Sequence, residues 1–549
     1  MKTELTETIK TDVLIVGGGA AGVAAAIEAA KYGVDVVLID KGKVGFSGSA
    51  STSGAGTSAV FLAEDSAEKF LNETIDGGEQ LNFKELTETL VKEGNQAIRK
   101  LDIFGVPYKH DSNGEFKLYI QLGQKLPRTP SVDGGGPAYM LALRKEALHR
   151  EVKFYESMMV IELIKRENTV IGCLAIEREN GKICLFTSKA IVLAAGSATD
   201  LYPYTTASYK TTGDGYWLGW NAGLEFINME FIEFSVMPAP NGIPLSSGGV
   251  KPLTARGAKF YNVLGERFME KYEPEKKELT KRGSLVYCIY KEISEGRGPV
   301  YMDATEISED DYYTLEQIEK RGILIRLREC GINYKKDKFQ WVSPAVHGFL
   351  GGIKIDKNCK TSINGLYVAG ENAGGVYGAD RVGSFLTACA VFGFKAGMNA
   401  AKTALKKSQN EIPWPIVNSQ LGQIKNISKE RQGERSKNVL KKIKEIAGKY
   451  IACERDANGL KEAIKQLKHT MESGIYKIQI KNRDDFIRVL EIRNLCLTGM
   501  LVANAALLRE ETRGQHRRIE YPERDKLWLK HILLKKDNDN INLTTKLIN

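Results

Sequence analysis

No apolar run in this chain reaches the roughly 18 residues that a membrane span needs. The nearest stretch, Leu495 to Leu508, is shorter and carries Asn504. The opening Met1-Lys2-Thr3-Glu4 has no apolar segment of the kind that heads a secretory signal. The 8 cysteines are scattered without a CxxC pair. Free thiols in a reducing compartment are therefore expected, rather than disulfides or an iron–sulfur cluster held by this chain. The 6 histidines show no metal-ligand spacing, and none occurs between Met1 and Lys109. There is no GxSxG elbow, Walker A lysine or HExxH helix, so hydrolysis and phosphoryl transfer lack their usual anchors.

At 549 residues, with 42% hydrophobic and 27% charged residues, the chain has the composition of a large globular protein. Its length suits about two to four domains. The net charge is +10. Much of the excess lies in the last third, where Lys441, Lys442, Lys444 and Lys449 are interleaved with Glu430, Glu434 and Glu445. That pattern reads as a solvated helical face, the alternative being recruitment of an acidic protein or anionic substrate. No aromatic-rich basic module accompanies the charge, so nucleic acid is not an expected partner. The expected location is the cytoplasm, with any membrane association made through a partner.

The most informative segment runs from Thr11 through Val13-Leu14-Ile15-Val16 to Gly17-Gly18-Gly19-Ala20-Ala21-Gly22, and is closed by Asp40. It reads as a buried strand, a glycine turn, an Ala-rich helix from Ala20 to Tyr32, and a second strand from Val34 to Ile39 that ends on an acid. Gly17 suits the tight turn, Gly19 lets backbone approach a pyrophosphate, and Gly22 lets helix and strand pack closely. The free N–H groups and positive end of the helix suit the pyrophosphate, and Asp40 is placed for a ribose hydroxyl.

Residues 1–232 alternate strands and helices as in a doubly wound sheet, with a second buried strand, Lys189 to Ala194, running into Ala195-Gly196. From 233 to 343 the texture changes: Pro238, Pro240, Pro244 and Pro252 cluster before charged helical segments, as in an inserted domain. Gly-rich α/β texture returns over 344–405, and a linker at Ile412-Pro413-Trp414-Pro415 leads into a helical region within 406–549. The polar residues from Lys535 to Asn549 are expected to fray.

Several blocks beyond the glycine turn resemble the flavoprotein subunits of fumarate reductase and succinate dehydrogenase, a superfamily that also holds L-aspartate oxidase and the adenylylsulfate reductase alpha subunit. They are Ala194-Ala195-Gly196, Thr212-Gly213-Asp214-Gly215, Gly265 to Met269, Gly298 to Asp303, His347 to Ile353, Gly365 to Gly397, Glu511 to Arg518, and Tyr521 to Asp525. They fall in family order over nearly the whole chain. The resemblance implies an α/β protein: a Rossmann-type FAD-binding domain, an inserted α+β capping domain and a helical C-terminal domain. It implies FAD rather than NAD, contacted by Gly17, Gly18, Gly19, Ala20, Ala21, Gly22, Asp40 and Lys41. Further implied contacts are Ser47, Gly48, Ser53, Gly54, Ala55 and Gly56, then Ala195, Gly196, Asp214, Glu371, Leu386 and Thr387. For Asp214 the alternative is a helix cap. Membrane-bound fumarate reductases attach FAD through a histidine where this chain has Ser49-Ala50-Ser51, which implies non-covalent FAD here.

The resemblance also implies substrate and catalytic roles for four residues. Arg381 matches the arginine that clamps a substrate carboxylate, a role that suits a bidentate guanidinium; the alternative is a structural pair with Asp380. His347 matches a carboxylate-binding histidine, against a satisfied loop residue. Arg282 stands where the family places a proton-donating arginine, against a surface basic pair. Arg256 matches an arginine of the site wall, against a capping-domain salt bridge. Three departures accompany these matches. Ser235 stands where dicarboxylate reductases carry a second histidine, Lys251 to Ala255 replaces a Thr-Glu pair, and Ser384-Phe385-Leu386 replaces Asn-Ser-Leu. One carboxylate pocket is retained and the second is rebuilt. The resulting expectation is an FAD-dependent oxidoreductase moving a hydride between flavin N5 and a small anionic substrate, a fumarate- or succinate-like carboxylate. Two alternatives stand beside it: an adenylylsulfate-reductase-like enzyme, and a flavin electron-transfer subunit working with an iron–sulfur partner. Either way the electrons enter from outside the chain, from an iron–sulfur or other electron-transfer subunit or a reduced carrier.

Overall fold

The structure, a computed structural model, describes residues 4–121, 123–245, 250–318, 323–409, 411–538 and 540–548. Its centre is a five-stranded parallel sheet. Four of the strands are Val13–Val16 (β1), Val36–Ile39 (β2), Lys153–Tyr155 (β3) and Ala190–Leu193 (β4). The fifth is a returning strand, Leu366–Val368, which lies beside β4; β1, β2 and β3 follow in that order on β4's other side. Every residue of β1, β2 and β4 is buried, as befits a parallel sheet covered on both faces.

Helix α1 (Ala20–Ala30) leaves β1 through the glycine turn and ends before Tyr32, where Gly33 takes a left-handed φ of +71°. That turn delays the second strand to Val36. The helix that covers α1 comes from far along the sequence, Phe385–Leu405, and packs closely against it. A Cβ on Gly393 would lie 2.6 Å from the Ala21 carbonyl, and one on Gly397 would lie 2.1 Å from that of Ala25. These two glycines, one helical turn apart, let the backbones meet with no side chain between them.

A second, antiparallel sheet holds β5 (Ile232–Pro238) and β6 (Phe339–Phe349), extended by Val300–Asp303 and Lys259–Tyr261. The helix Arg282–Ser294 packs on both β5 and β6, and its first residue lines the cavity described below. The C-terminal part contributes the helices Trp414–Ile427, Ser436–Tyr450 and Ala457–Glu472, and the long, largely buried Arg483–Leu508. Among the described residues no helix is long and apolar enough to cross a membrane.

The expected fraying of Lys535 to Asn549 is corrected. Lys530–Asp537 and Asn540–Leu547 form an antiparallel hairpin whose first strand pairs with Phe226–Ile227. Ile532 and Leu534 are fully buried, while the second strand is largely exposed. Its polar residues therefore read as solvent-exposed sequence, although their backbone is paired.

Candidate functional site

One cavity of about 1450 Å³ opens between the C-terminal ends of the parallel strands and the second sheet. It exceeds the roughly 300–1,000 Å³ that suits a drug-sized ligand. Gly17, Gly18, Gly19, Ala20 and Ala21 line it together with Asp40 and Lys41, and so do Ser47, Gly48, Ser53, Gly54 and Gly56. Ala195, Gly196, Asp214, Glu371 and Leu386 also line it, as do Arg256, Arg282, His347 and Arg381. Three residues expected at the cofactor do not: Gly22, Ala55 and Thr387. Gly22 is spent on packing, since a Cβ there would lie 1.8 Å from the Gly17 carbonyl. Ala55 is fully buried with φ of +57°. Thr387 fixes the neighbouring loop, its hydroxyl accepting from the Ser58 N–H at 2.6 Å and donating to the Ser58 carbonyl at 3.1 Å.

The cradle fits a pyrophosphate. Gly17 has φ of +109°, and a Cβ there would sit 2.3 Å from the Ala194 carbonyl, so only glycine makes this turn. Gly19 is different: a Cβ there would meet no protein atom within 4 Å, so its missing side chain leaves room for a ligand. Gly19 also caps α1 without any side-chain hydrogen bond, and the first turn holds no acid. The helix N–H groups and positive end are thus open to an anion. Asp40 accepts from Gly18 N–H at 2.7 Å and Gly42 N–H at 2.8 Å; each carboxylate oxygen keeps a further lone pair for a hydroxyl.

Deeper on the same side, Lys41 forms ion pairs with Asp214 at 2.7 Å and Glu491 at 3.5 Å. Asp214 also accepts from the Thr212 hydroxyl at 2.8 Å and the Asn494 amide at 3.0 Å. Burial disfavours both charges, yet mutual attraction wins: Lys41 is held above the usual lysine range and Asp214 below the usual carboxylate range. Asp214 is the first residue of its helix, which has no side-chain cap at Gly213; its carboxylate anchors the cavity wall. Burial pushes the Glu371 carboxyl up, opposed by the Phe349 N–H at 2.9 Å.

At the second sheet the charged groups converge. Arg381 does not pair its side chain with Asp380, which instead accepts from the Arg381 backbone N–H at 2.9 Å. Its guanidinium grips Glu233 in a two-pronged contact, Nε at 2.7 Å and Nη2 at 2.9 Å, while Nη1 donates to the Gly383 carbonyl. The ring of Phe385 lies beneath it, 4.4 Å from centroid to guanidinium carbon. Arg282 pairs with the same Glu233 and is no surface basic residue; burial and then the neighbouring Arg381 cation bring its pKa down to about 9. His347, on β6, shares a 2.7 Å hydrogen bond between Nδ1 and the Thr206 hydroxyl. Burial, then Arg282 and Arg381, push its pKa well below the usual histidine range, so the ring is neutral. Arg256 lines the cavity, forms a salt bridge with Asp311 at 3.3 Å and donates from Nη1 to the Pro252 carbonyl at 3.0 Å.

Sequence reasoning missed two residues that organise this site. Glu233, two residues before Ser235, carries no local mark, because its partners lie in other segments. Asn372 follows the expected Glu371, and its side chain bridges the strand end opposite. Its Oδ1 accepts from Ala195 N–H at 2.6 Å and its Nδ2 donates to the Gly196 carbonyl at 2.5 Å. An amide beside the Ala-Gly-Glu strand end was the signal available.

Such a glycine cradle is that of a dinucleotide-binding protein. A family model described as an FAD binding domain matches residues 12–385, and one described as the fumarate reductase flavoprotein C-terminus matches residues 440–549. The chain is 32% identical to an uncharacterized FAD-dependent oxidoreductase of Methanocaldococcus jannaschii, over 96% of each chain. It is 31% identical to a chain of the CoM/CoB fumarate reductase of Methanothermobacter marburgensis, over 97% of this chain and 98% of that one. Among solved structures it resembles an E. coli quinol fumarate reductase chain with a TM-score of 0.90 at 24% identity, covering 99% of this chain and 97% of that one. The chain belongs to the fumarate reductase and succinate dehydrogenase flavoprotein superfamily, and is an FAD-dependent oxidoreductase.

Proposed function

We propose that the chain moves a hydride between FAD and a small carboxylate-bearing substrate held under the second sheet. The observation that carries this reading is the convergence of Arg381, Arg282 and a neutral His347 on one end of the dinucleotide cavity. When bound, FAD would supply the hydride at N5; the FAD is non-covalent, since the cavity segment Ser49-Ala50-Ser51 offers no histidine. Arg381 uses three of its five N–H groups on Glu233 and Gly383, and the other two serve a substrate carboxylate. His347, being neutral, offers that carboxylate a hydrogen bond without adding charge. Arg282, buried beside Arg381 and paired with Glu233, holds the proton that goes to the substrate carbon as charge develops there.

Electrons reach the site from outside this chain. The naming of relatives as flavoprotein subunits supports that, as does the dispersion of the cysteines. The test is to reduce the purified flavoprotein with dithionite and offer a panel of unsaturated acids together with adenylylsulfate. Reoxidation by an acid, lost in Arg381→Ala, supports the reading. Reoxidation by adenylylsulfate alone, or by an iron–sulfur protein alone, refutes it.

A further inference from the structure

Among the described residues, Glu233 is the one side chain at this site that touches both candidate substrate arginines. It lies on β5 with its side chain 2% exposed, behind the two guanidiniums and outside the cavity lining. It is bidentate to Arg381 and paired with Arg282, so two positive charges share one fixed negative charge. The other arginines of the pocket are already engaged: Arg256 by Asp311 and the Pro252 carbonyl, and Arg326 by contacts of its own. Asp380 lies beside the pair, with burial pushing its carboxyl up. The described wall at this end mixes apolar Pro252, Ala255, Leu315 and Phe385 with the neutral hydroxyls of Thr206 and Ser384.

We propose that Glu233 is a specificity-determining positioning residue: as a built-in counter-ion it locks Arg282 and Arg381 into one unit and leaves them enough charge for a single substrate carboxylate. The substrate class is then an unsaturated monocarboxylate. One carboxylate completes the neutralisation of the arginine pair. Among the described residues at this end, a second carboxylate would meet only neutral hydrogen-bonding groups and arginines already paired, with no free cation to offset its desolvation. This inference rests on the carboxylate reading above and narrows it.

Crotonate and fumarate test it, because they share a carbon skeleton and differ by a methyl group in place of one carboxylate. Both are titrated calorimetrically into the FAD-loaded protein and into Glu233→Gln. The native protein is expected to bind crotonate at least about tenfold more tightly than fumarate, and Glu233→Gln to shift the ratio about tenfold or more toward fumarate. Glu233→Asp keeps the charge and shortens its reach, so the preference for crotonate stays while reoxidation of reduced flavin slows. A purely structural Glu233 would lower stability in both variants without moving the ratio. Tighter fumarate binding by the native protein overturns the proposal outright, even where Glu233→Gln does not fold. Binding of both acids with a ratio that Glu233→Gln leaves unchanged overturns the role of Glu233 alone. Binding of neither acid removes the carboxylate reading and this inference with it.

Discussion

The two ends of the cavity are built on different principles. The cofactor end is made largely of backbone, a glycine turn, an uncapped helix start and a strand end held by Asn372, with Asp40 and the Lys41–Asp214 pair beside them. The substrate end is made of side chains from segments scattered along the chain: Glu233, Arg282, His347 and Arg381. Backbone sites are specified by short-range sequence and tolerate little variation at the glycines. Side-chain sites can be rewired by one substitution in any contributing segment. The same scaffold can therefore keep its cofactor while its substrate end changes charge.

Four experiments would break or sharpen that contrast. The largest effect is expected from Gly19→Val. A Cβ there meets no protein atom within 4 Å and the backbone at Gly19 is extended, so the fold should survive while the ligand space is filled. Flavin affinity should fall by about a hundredfold or more, measured by fluorescence titration, with the circular dichroism spectrum unchanged; retention of yellow protein would count against the cradle. Next comes Arg381→Lys, which keeps a charge but loses the fork. A fall in kcat on the order of a hundredfold, with flavin content intact, would separate the two ends.

A third experiment uses pH. No histidine precedes Lys109, so the glycine turn itself has none. His347 and His516 are instead held well below the usual histidine range by burial and then neighbouring cations, and His531 is held at about 4 by the same causes. Each binds its proton more readily in the unfolded chain. Their contribution is complete above about pH 6.5 and is lost as pH falls toward the lowered folded values, at up to about 1.4 kcal/mol per pH unit for each. The unfolding midpoint in denaturant should drop between pH 7 and pH 5, and His531→Gln should make that drop shallower; an unchanged slope would remove His531 as a cause. The smallest effect is expected from Arg256→Gln. Its salt bridge to Asp311 is partly exposed, with side chains 23% and 47% accessible, so stability should change by less than about 1 kcal/mol in a thermal melt.

The strand, glycine turn and helix at the cofactor end were legible because each step is local: a buried apolar run, residues that alone allow the turn, and an Ala-rich helix. The pairing of Gly393 and Gly397 with α1 was not, since small residues on a helix do not name the partner they admit. The tail hairpin was misread because exposed polar residues look the same whether or not their backbone is paired. At the substrate end Arg381, His347 and Arg282 were visible through the resemblance, whereas their common anchor was not. Glu233 acquires its meaning only when β5, β6 and the loop before Phe385 are brought together.

The glycine contact between α1 and Phe385–Leu405 has a consequence for how the molecule is made. The first helix of the chain finds its cover only after most of the sequence, with a whole sheet intervening, has been threaded past it. Until that closure the Ala-rich face stays wet, and its association is a long-range event of the slow kind. Assembly of the flavin cradle is thus tied to the completion of distant structure rather than to the glycine turn that announces it.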